Sequence, residues 1–311
     1  MNLLRYFESW ATAELVLTAL AAGACVVVMC SLLSVLVVLK RLAFIGQGVS
    51  HSAFGGIGVA AVIGAATGAA WAGQGGVLEF AVVVAFCIGA ALGMASVGRS
   101  GVASGRGKPI EVDTGIGLFL VASMALGGLL VEAARALAQR LGHPVGVRSW
   151  ESILFGSILT ADWGDVLIAL GLAAMTVGVL WLVRRPLLFW AFDETSAPAF
   201  GVPAAVMRTV LMVLLALATV TATKLTGVVL ASAMLVLPGA TALKLSRRIS
   251  VVLALSVAVG LAGLVVGLAV SLQADLQPGP CIVLSMVAAF LAAGIINSVT
   301  SGAAAPRSET A

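Results

Sequence analysis

Residues 14–39 read "ELVLTALAAGACVVVMCSLLSVLVVL", an apolar run whose one charged residue, Glu14, stands at its start. A helix needs about 20 consecutive apolar residues to cross a bilayer, so this run is long enough for one membrane span. It is too long for the apolar core of a cleaved signal peptide. We therefore expect it to stay attached as the first span of a membrane protein.

The composition of the whole chain agrees with that expectation. Hydrophobic residues make up 61% and charged residues 10% of the sequence, and the mean hydropathy is +1.16. A soluble chain of this length needs far more polar surface. The formal net charge is only +4, and its basic residues stand in short loops between apolar runs. This pattern indicates membrane orientation and excludes nucleic-acid binding.

Apolar segments recur along nearly the whole chain, which predicts an all-α, polytopic transmembrane protein with eight to nine spans. The boundary between the sixth and seventh segments is the weakest, because only "ATKLTG" (222–227) separates them. A broken or re-entrant second span would leave eight crossings. The candidate spans are 14–39, 44–66, 77–98, 115–137, 165–183, 207–223, 225–243, 251–273 and 281–300.

The loops predict the orientation, because Lys and Arg prefer the cytoplasmic side. Basic residues fall in alternate loops, so the amino terminus is expected outside and the carboxyl terminus in the cytoplasm. We predict one permease domain over residues 1–300 and a disordered cytoplasmic tail over 301–311. The basic clusters are Lys40 with Arg41, Arg99 with Arg106 and Lys108, Arg184 with Arg185, and Lys244 with Arg247 and Arg248.

One of the two histidines lies inside the second span. Gln47 and His51 are four residues apart and share a helix face, while Gly48, Ser52 and Gly56 form a small-residue surface for close helix packing. The imidazole has two interpretations: a structural histidine bonded to a backbone carbonyl, or a metal ligand on a transport pathway. The second histidine, His143, is expected in an outer loop, either solvated or capturing incoming metal.

Three other features bear on function. Lys224 interrupts an apolar stretch, and it either snorkels to the outer interface or reaches into a cavity. Pro238 and Gly239 are expected to break a helix near the inner end of a span.

The longest inside connection, 184–208, places Asp193 and Glu194 in a short amphipathic stretch bounded by Pro186 and Pro203. This stretch is either an interfacial helix on lipid headgroups or a docking helix for a cytoplasmic partner.

Enzyme motifs are not found in the sequence. "GRGKP" (105–109) lacks the hydroxyl residue and the glycine spacing of a phosphate-binding loop, and there is no HExxH pair. Ser50 and His51 are adjacent on a helix and point apart, so they do not form a nucleophile and its base. The sequence therefore favours a transport function over catalysis.

Six segments resemble, in order, the membrane permeases of ABC importers for zinc, manganese and iron. They are "RLAFIGQGVSHSAFGGIGVA" (41–60), "EVDTGIGLFLVASMALG" (111–127), "SWESILFGSILTADWGDVL" (149–167), "FDETSAPAFGVP" (192–203), "KLTGVVLASAMLVLPGATALKL" (224–245) and "LQPGPCIVL" (276–284). The stretch at 224–245 is most similar to the high-affinity zinc-uptake branch. The resemblance implies a type II ABC importer-like permease in the bacterial inner membrane.

The resemblance also implies partners and site residues. A second permease chain, normally a second copy, would enclose the pore, two cytoplasmic ABC ATPase subunits would consume ATP, and an extracytoplasmic binding protein would deliver the metal. Asp193 and Glu194 would then belong to the coupling helix on the ATPase. The metal ligands would be His51 and Gln47, where Gln47 replaces the aspartate that the family usually has. An uncharged amide attracts cations weakly, and a pair of imidazoles suits Zn²⁺ better than Mn²⁺. The expected transported ion is Zn²⁺, followed by Mn²⁺ or Fe²⁺.

Two rival functions remain open. A permease for a metal chelate or siderophore would need a wider pore and no metal ligand. An ion-coupled secondary carrier would work without any ATPase partner.

Overall fold

The computed structural model describes residues 10–68, 76–103, 112–142, 156 and 158–303. Every regular element in this part of the chain is helical, which confirms the all-α prediction. Two short 3₁₀ helices, Ile158–Thr160 and Ala197–Phe200, accompany the α-helices. In chain order the α-helices are α1 (Trp10–Leu39), α2 (Ala43–Thr67), α3 (Val77–Ala103), α4 (Val112–Leu141), α5 (Trp163–Phe192), α6 (Ala204–Met234), α7 (Leu237–Leu245), α8 (Ile249–Ala274) and α9 (Pro278–Ala303).

Seven helical stretches of the described residues are long and apolar enough to cross a membrane. Six of them lie within α1, α2, α4, α5, α8 and α9, and the seventh, Ala204–Leu245, combines α6 and α7. The apolar part of α3, Leu78–Met94, is shorter. Helix α2 is unbroken from Ala43 to Thr67, so the alternative of a broken second span is not observed.

The predicted boundary between the sixth and seventh spans corresponds to a reversal of the chain inside α6. Gly227 has φ 80° and ψ 166°, a backbone conformation that glycine adopts without a Cβ clash. Before the glycine, α6 runs from Arg208, which contacts Glu194 after α5, to Lys224, which contacts Asp165 at the start of α5. After the glycine, the chain turns back along the bundle.

The contacts of the returning segment require this reversal. An unbroken helix from Arg208 to Gly239 would be about 46 Å long. However, Gly239 packs against the backbone of Ser34 in α1, less than two turns before Lys40, and Lys40 shares the carboxylate of Glu194 with Arg208. Both ends of the stretch therefore lie near the same end of the bundle. With the two arms of α6 counted separately, the architecture agrees with the predicted eight to nine spans.

Proline residues bear on two of the predicted helix boundaries. Pro238 stands in the first turn of α7, where the helix break was predicted. The fifth span was predicted to end at residue 183, but α5 continues through Pro186 to Phe192. Proline removes one backbone hydrogen bond, but Leu187 and Trp190 beyond it are each only 1% exposed and hold the extra turns against the core.

Helix α2 is held by unusually close packing on α3 and α4. A Cβ added to Gly127 of α4 would lie 2.6 Å from the carbonyl carbon of Phe54, so the backbones of the two helices touch. A Cβ on Gly48 would meet Met94 and Ile116 at 2.9 Å, and one on Gly56 would meet the backbone of Val83 at 2.9 Å. The predicted small-residue face therefore packs against protein, as expected.

We call the two ends of the bundle the Lys224 end and the Lys40 end, after a lysine that lies at each. The Lys224 end contains the Lys224–Asp165 ion pair, with Nζ 2.7 Å from Oδ1, and the same amine lies 5.6 Å from the centre of the Phe80 ring. Lys224 is thus paired with an aspartate, a partner that neither sequence-based interpretation included. At this end Trp163 Nε1 also donates a hydrogen bond of 3.1 Å to Glu14 Oε1.

The Lys40 end contains Lys40, Trp190, Glu194 and Arg208.

The last helix, α9, continues to Ala303, so residues 301–303 of the predicted disordered tail are helical. Residues 304–311 of that tail lie outside the described residues.

Candidate functional site

The two predicted metal ligands lie on one strip of α2 that no other part of the described chain covers completely. Phe44 is 58% exposed, Gln47 is exposed and His51 is half-buried. Their spacing of three and four residues places them within about 60° of one another around the helix. We call Phe44, Gln47 and His51 the open strip.

His51 lacks the bond that a structural histidine would make. Its Nδ1 atom is buried without a hydrogen-bond partner in the described part of the chain, and Nε2 makes no hydrogen bond there. The ring stacks on Phe54 instead, with centroids 6.2 Å apart and planes 14° from parallel. The imidazole is therefore positioned by stacking, and its nitrogens are not used to hold the fold.

The rest of α2 is fixed around the open strip by bonds and contacts that leave the strip free. The hydroxyl of Ser50 donates to the carbonyl of Gly46 at 2.8 Å, and the hydroxyl of Ser52 donates to the carbonyl of Gly48 at the same distance. Ser52 also lies 3.2 Å from the hydroxyl of Ser123 in α4. These local bonds satisfy the small polar groups without using Gln47 or His51.

The returning arm of α6 lies beside the open strip. Leu235 packs against Gly46, and Val228 belongs to the same buried cluster as Phe54. The reversal at Gly227 therefore brings a second membrane segment against α2, immediately next to the predicted ligands.

The second predicted pair, Asp193 and Glu194, lies at the Lys40 end. Glu194 Oε2 accepts a hydrogen bond of 2.7 Å from Lys40 Nζ, and Oε1 pairs with Arg208 Nη2. Lys40 also donates to the Trp190 carbonyl at 3.2 Å and lies 3.9 Å above the centre of the Trp190 ring. Glu194 thus joins the end of α1, the segment after α5 and the start of α6.

The protonation of Glu194 follows from these partners. Burial raises the pKa of this carboxyl, but hydrogen bonds from Lys40 and Arg208, with the charges of both, lower the pKa by more. The net result is a pKa below the ordinary value, so the carboxylate is charged at neutral pH and both ion pairs are formed.

Asp193 stabilises the turn itself. Its Oδ1 accepts a 2.9 Å hydrogen bond from the backbone N–H of Ser196, and this bond is the main cause of its lowered pKa. The turn leads into the 3₁₀ helix Ala197–Phe200, which ends at Gly201 with φ 76°. The predicted amphipathic helix is therefore a turn and a four-residue 3₁₀ helix, because α5 continues through the residues assigned to it.

The same segment presents aromatic side chains to the outside. Phe192 is 66% exposed and Phe200 is 73% exposed. Phe189 and Phe200 meet edge to face, with centroids 5.4 Å apart. We call Phe189, Phe192 and Phe200 the aromatic patch. Sequence reasoning chose the two acidic residues and missed this patch, although its three phenylalanines stand in the same connection.

The predicted site residues form two groups, which the structure links through a short connection. Lys40 directly follows the end of α1 and α2 begins at Ala43, so the open strip starts only a few residues from the Glu194 ion pairs. Lys40 and Arg208 were not among the predicted site residues.

Within the described ranges, no group of three His, Cys, Asp or Glu residues could hold a metal ion. His143 lies outside the described residues.

A bundle of apolar helices long enough to span a membrane, with an open strip along one of them, defines a multi-pass membrane protein. Comparison with known proteins specifies this class further. The family model described as the ABC 3 transport family matches residues 12–297.

Two similar proteins support the family match. The manganese transport system membrane protein MntC of Halalkalibacterium halodurans is 31% identical over 285 residues, covering 91% of this chain and 87% of that protein. The chelated iron transport system membrane protein YfeD of Yersinia pestis is 29% identical over 275 residues, covering 88% and 82%.

A solved structure described as PsaBC from Streptococcus pneumoniae in complex with Fab has a TM-score of 0.73 and 25% sequence identity. The alignment covers 94% of this chain and 95% of that one. The chain belongs to the ABC 3 transport family. Membership confirms that it is a membrane permease subunit and not an enzyme, with ATP hydrolysis on a separate subunit.

Proposed function

We propose that this chain is the permease subunit of an ATP-driven importer for divalent transition metals, with Zn²⁺ as the preferred substrate. The chain resides in the bacterial inner membrane. Its Lys40 end and carboxyl terminus face the cytoplasm, and residues 1–300 act as one permease domain. The observation that carries the proposal is the free imidazole of His51 on the open strip.

The environment of His51 supports a role on the pathway. An intramembrane ionisable side chain is costly unless it is bonded or functional. This imidazole is held by stacking on Phe54 and makes no hydrogen bond within the described residues. A neutral imidazole with a free nitrogen is a ligand for borderline metals such as Zn²⁺.

The geometry of the open strip favours a pore between two permease chains. His51 and Gln47 give two ligands per chain, whereas Zn²⁺ usually takes four. Two copies facing each other across a pore would supply two imidazoles and two amides. Such a site binds weakly enough to release the ion, as a transport pathway requires. Alternating access then exposes the strip first to the binding protein outside and later to the cytoplasm.

The donor set favours Zn²⁺ over the other candidate metals. Imidazole suits Zn²⁺, while Mn²⁺ prefers carboxylate, carbonyl and water oxygen. Gln47 removes a negative charge that would attract hard cations. Mn²⁺ is the second candidate substrate, because MntC of H. halodurans carries manganese transport in its name and is similar over 91% of this chain.

The Lys40 end provides the surface for the ATPase subunits. Glu194 holds the turn in place through Lys40 and Arg208, Asp193 stabilises it from within, and the aromatic patch faces outward. Exposed aromatic side chains next to fixed charges are typical of protein interfaces. In this proposal Asp193 and Glu194 shape the coupling segment, and Phe192 and Phe200 contact the partner.

The test is transport by the complete importer in proteoliposomes, with its ATPase subunits and its metal-binding protein. ATP-dependent accumulation of ⁶⁵Zn²⁺ that excess Zn²⁺ suppresses more strongly than excess Mn²⁺ or Fe²⁺ supports the proposal. Accumulation without ATPase subunits would identify a secondary carrier. Stimulation of ATPase activity by chelated iron but not by free ions would identify a chelate permease. Either result would overturn the proposal.

A further inference from the structure

An apolar groove runs along the outside of the bundle between α1, α5 and α8. Its part nearer the Lys40 end has a volume of about 290 Å³, and its part nearer the Lys224 end about 660 Å³. Val177 and Trp181 line both parts, so the two form one continuous groove. The groove is distinct from the open strip on α2.

The dimensions of the groove suit one acyl chain. Along α5 it extends from Leu170 to Arg184, about 21 Å of helix. One leaflet of a bilayer has a hydrocarbon depth of about 15 Å. The walls are apolar, and they include Leu36, Leu187 and Leu253 nearer the Lys40 end and Ala24, Val28 and Leu261 nearer the Lys224 end.

The charges at the mouth of the groove distinguish it from ordinary lipid-facing surface. Arg184 lines the groove at its Lys40 end, and its guanidinium carbon lies 4.9 Å from the centre of the Trp181 ring. Arg184 and its neighbour Arg185 are exposed and form no ion pair with a carboxylate in the described residues. By contrast, Lys40 and Arg208 at the same end both pair with the carboxylate of Glu194.

We propose that the groove binds a phospholipid with an anionic headgroup, from the leaflet at the Lys40 end. One acyl chain lies between α1, α5 and α8, and the phosphate pairs with Arg184, while Arg185 adds positive charge beside the groove. Basic residues beside an apolar cleft at the cytoplasmic end of membrane helices are the chemistry that recognises anionic headgroups. Trp181, one turn before Arg184 on α5, places an amphipathic ring beside the proposed headgroup site. The choice of leaflet rests on the proposed orientation of the chain, whereas the preference for an anionic headgroup does not.

The test measures lipid retention by the full-length chain, purified in nonionic detergent with equal amounts of phosphatidylglycerol and phosphatidylcholine. Native mass spectrometry counts each lipid on the protein. We expect phosphatidylglycerol to be retained preferentially, Arg184→Gln to reduce that retention about fivefold, and Arg185→Gln, which lies beside the groove, to reduce it less. Both side chains are exposed, so the fold does not depend on them.

A second variant fills the groove without altering charge. Gly178 lines it, and a Cβ there meets nothing within 4 Å, so Gly178→Phe places a ring in the cleft and is expected to abolish phosphatidylglycerol retention. Gly117→Phe, at an equally open glycine of α4, is the control and is expected to leave retention unchanged.

Three outcomes would overturn the proposal. Equal retention of the two lipids by the wild-type chain would remove the headgroup preference. Unchanged retention in both Arg184→Gln and Gly178→Phe would place the lipid elsewhere. Loss of the lipid when two chains associate would show that the groove is covered by a second copy. None of these results depends on metal transport, so they leave the proposed function to its own test.

Discussion

Lys40 Nζ lies 2.7 Å from Glu194 Oε2 and 3.2 Å from the carbonyl oxygen of Trp190, so the end of α1 is bonded directly to the segment after α5. Since α2 begins three residues after Lys40, the segment proposed to meet the ATPase and the helix that carries His51 share one connection. A movement of that segment would be transmitted to the open strip through Lys40. We therefore expect Lys40 to act as a positioning residue for transport.

We predict that Lys40→Met uncouples ATP hydrolysis from transport. The variant removes a charge-assisted hydrogen bond, and after allowance for screening at the half-exposed Glu194 we expect metal transported per ATP to fall about fivefold. The measurement is the ratio of uptake to phosphate release in proteoliposomes. Lys40→Arg should restore most of the ratio, and Lys244→Met, at another basic residue of the same predicted side, should leave it unchanged. Equal ratios in Lys40→Met and wild type would show that Lys40 only stabilises the fold.

We predict a loss of stability in acid that depends on Glu194. Because the pKa of this carboxyl in the folded chain lies below its ordinary value of 4.5, the unfolded chain takes up its proton first as the pH falls. The ion pairs therefore contribute fully above about pH 4.5 and are lost as the pH falls through the lower folded value.

The check is the thermal unfolding temperature in detergent between pH 7 and pH 3. Glu194→Gln should lower the unfolding temperature at pH 7, and the unfolding temperature of this variant should fall less in acid. Glu132→Gln, which removes an exposed pair with Arg135, is the matched control and should change neither. If the unfolding temperature of Glu194→Gln fell in acid as that of the wild type does, Glu194 would not be the cause of the acid sensitivity.

We predict that Gly227→Ala destabilises the chain. At φ 80° a Cβ is strained, and Gly156 packs directly against the backbone of Gly227. The expected cost is about 1–3 kcal/mol, measured as a lower unfolding temperature. Gly89→Ala, in an open helical position of α3, should be neutral or stabilising by about 0.4–1 kcal/mol. A Gly227→Ala variant as stable as wild type would contradict the reversal described for α6.

We predict that Gln47→Asp shifts metal preference towards Mn²⁺. A carboxylate restores a hard, charged oxygen ligand on the open strip, and the side chain is exposed, so the fold should tolerate it. The ratio of Mn²⁺ to Zn²⁺ uptake by the complete importer is expected to rise roughly tenfold. Gln139→Asp, at an exposed position near the end of α4, should leave the ratio unaltered. An unchanged ratio in Gln47→Asp would remove Gln47 from the pathway.

The membrane architecture could be predicted from sequence because apolar length alone specifies a span. The spacing of Gln47 and His51 was sufficient to place them on one face, and Gly48, Ser52 and Gly56 correctly predicted the packed face. These features depend on local order along one helix. The structure added that His51 makes no hydrogen bond to any described residue, which weakens the interpretation as a structural histidine.

Other features could not be predicted because they depend on contacts between distant residues. Lys40 and Glu194 are 154 positions apart, and no local pattern links them. Helix α5 continues past Pro186 because Leu187 and Trp190 are buried by other helices. The reversal at Gly227 depends on a backbone angle, and a lone glycine in a membrane segment has many alternative roles.

The central claim is that His51 binds the metal during passage, and uptake by the intact importer tests it most directly. We predict that His51→Ala lowers Zn²⁺ uptake and metal-stimulated ATPase activity about tenfold or more at equal amounts of complex. His143→Ala removes the other histidine and should leave both near wild type. If His51→Ala retains wild-type uptake and stimulation, His51 is a packing residue beside Phe54 and the proposed pathway is wrong.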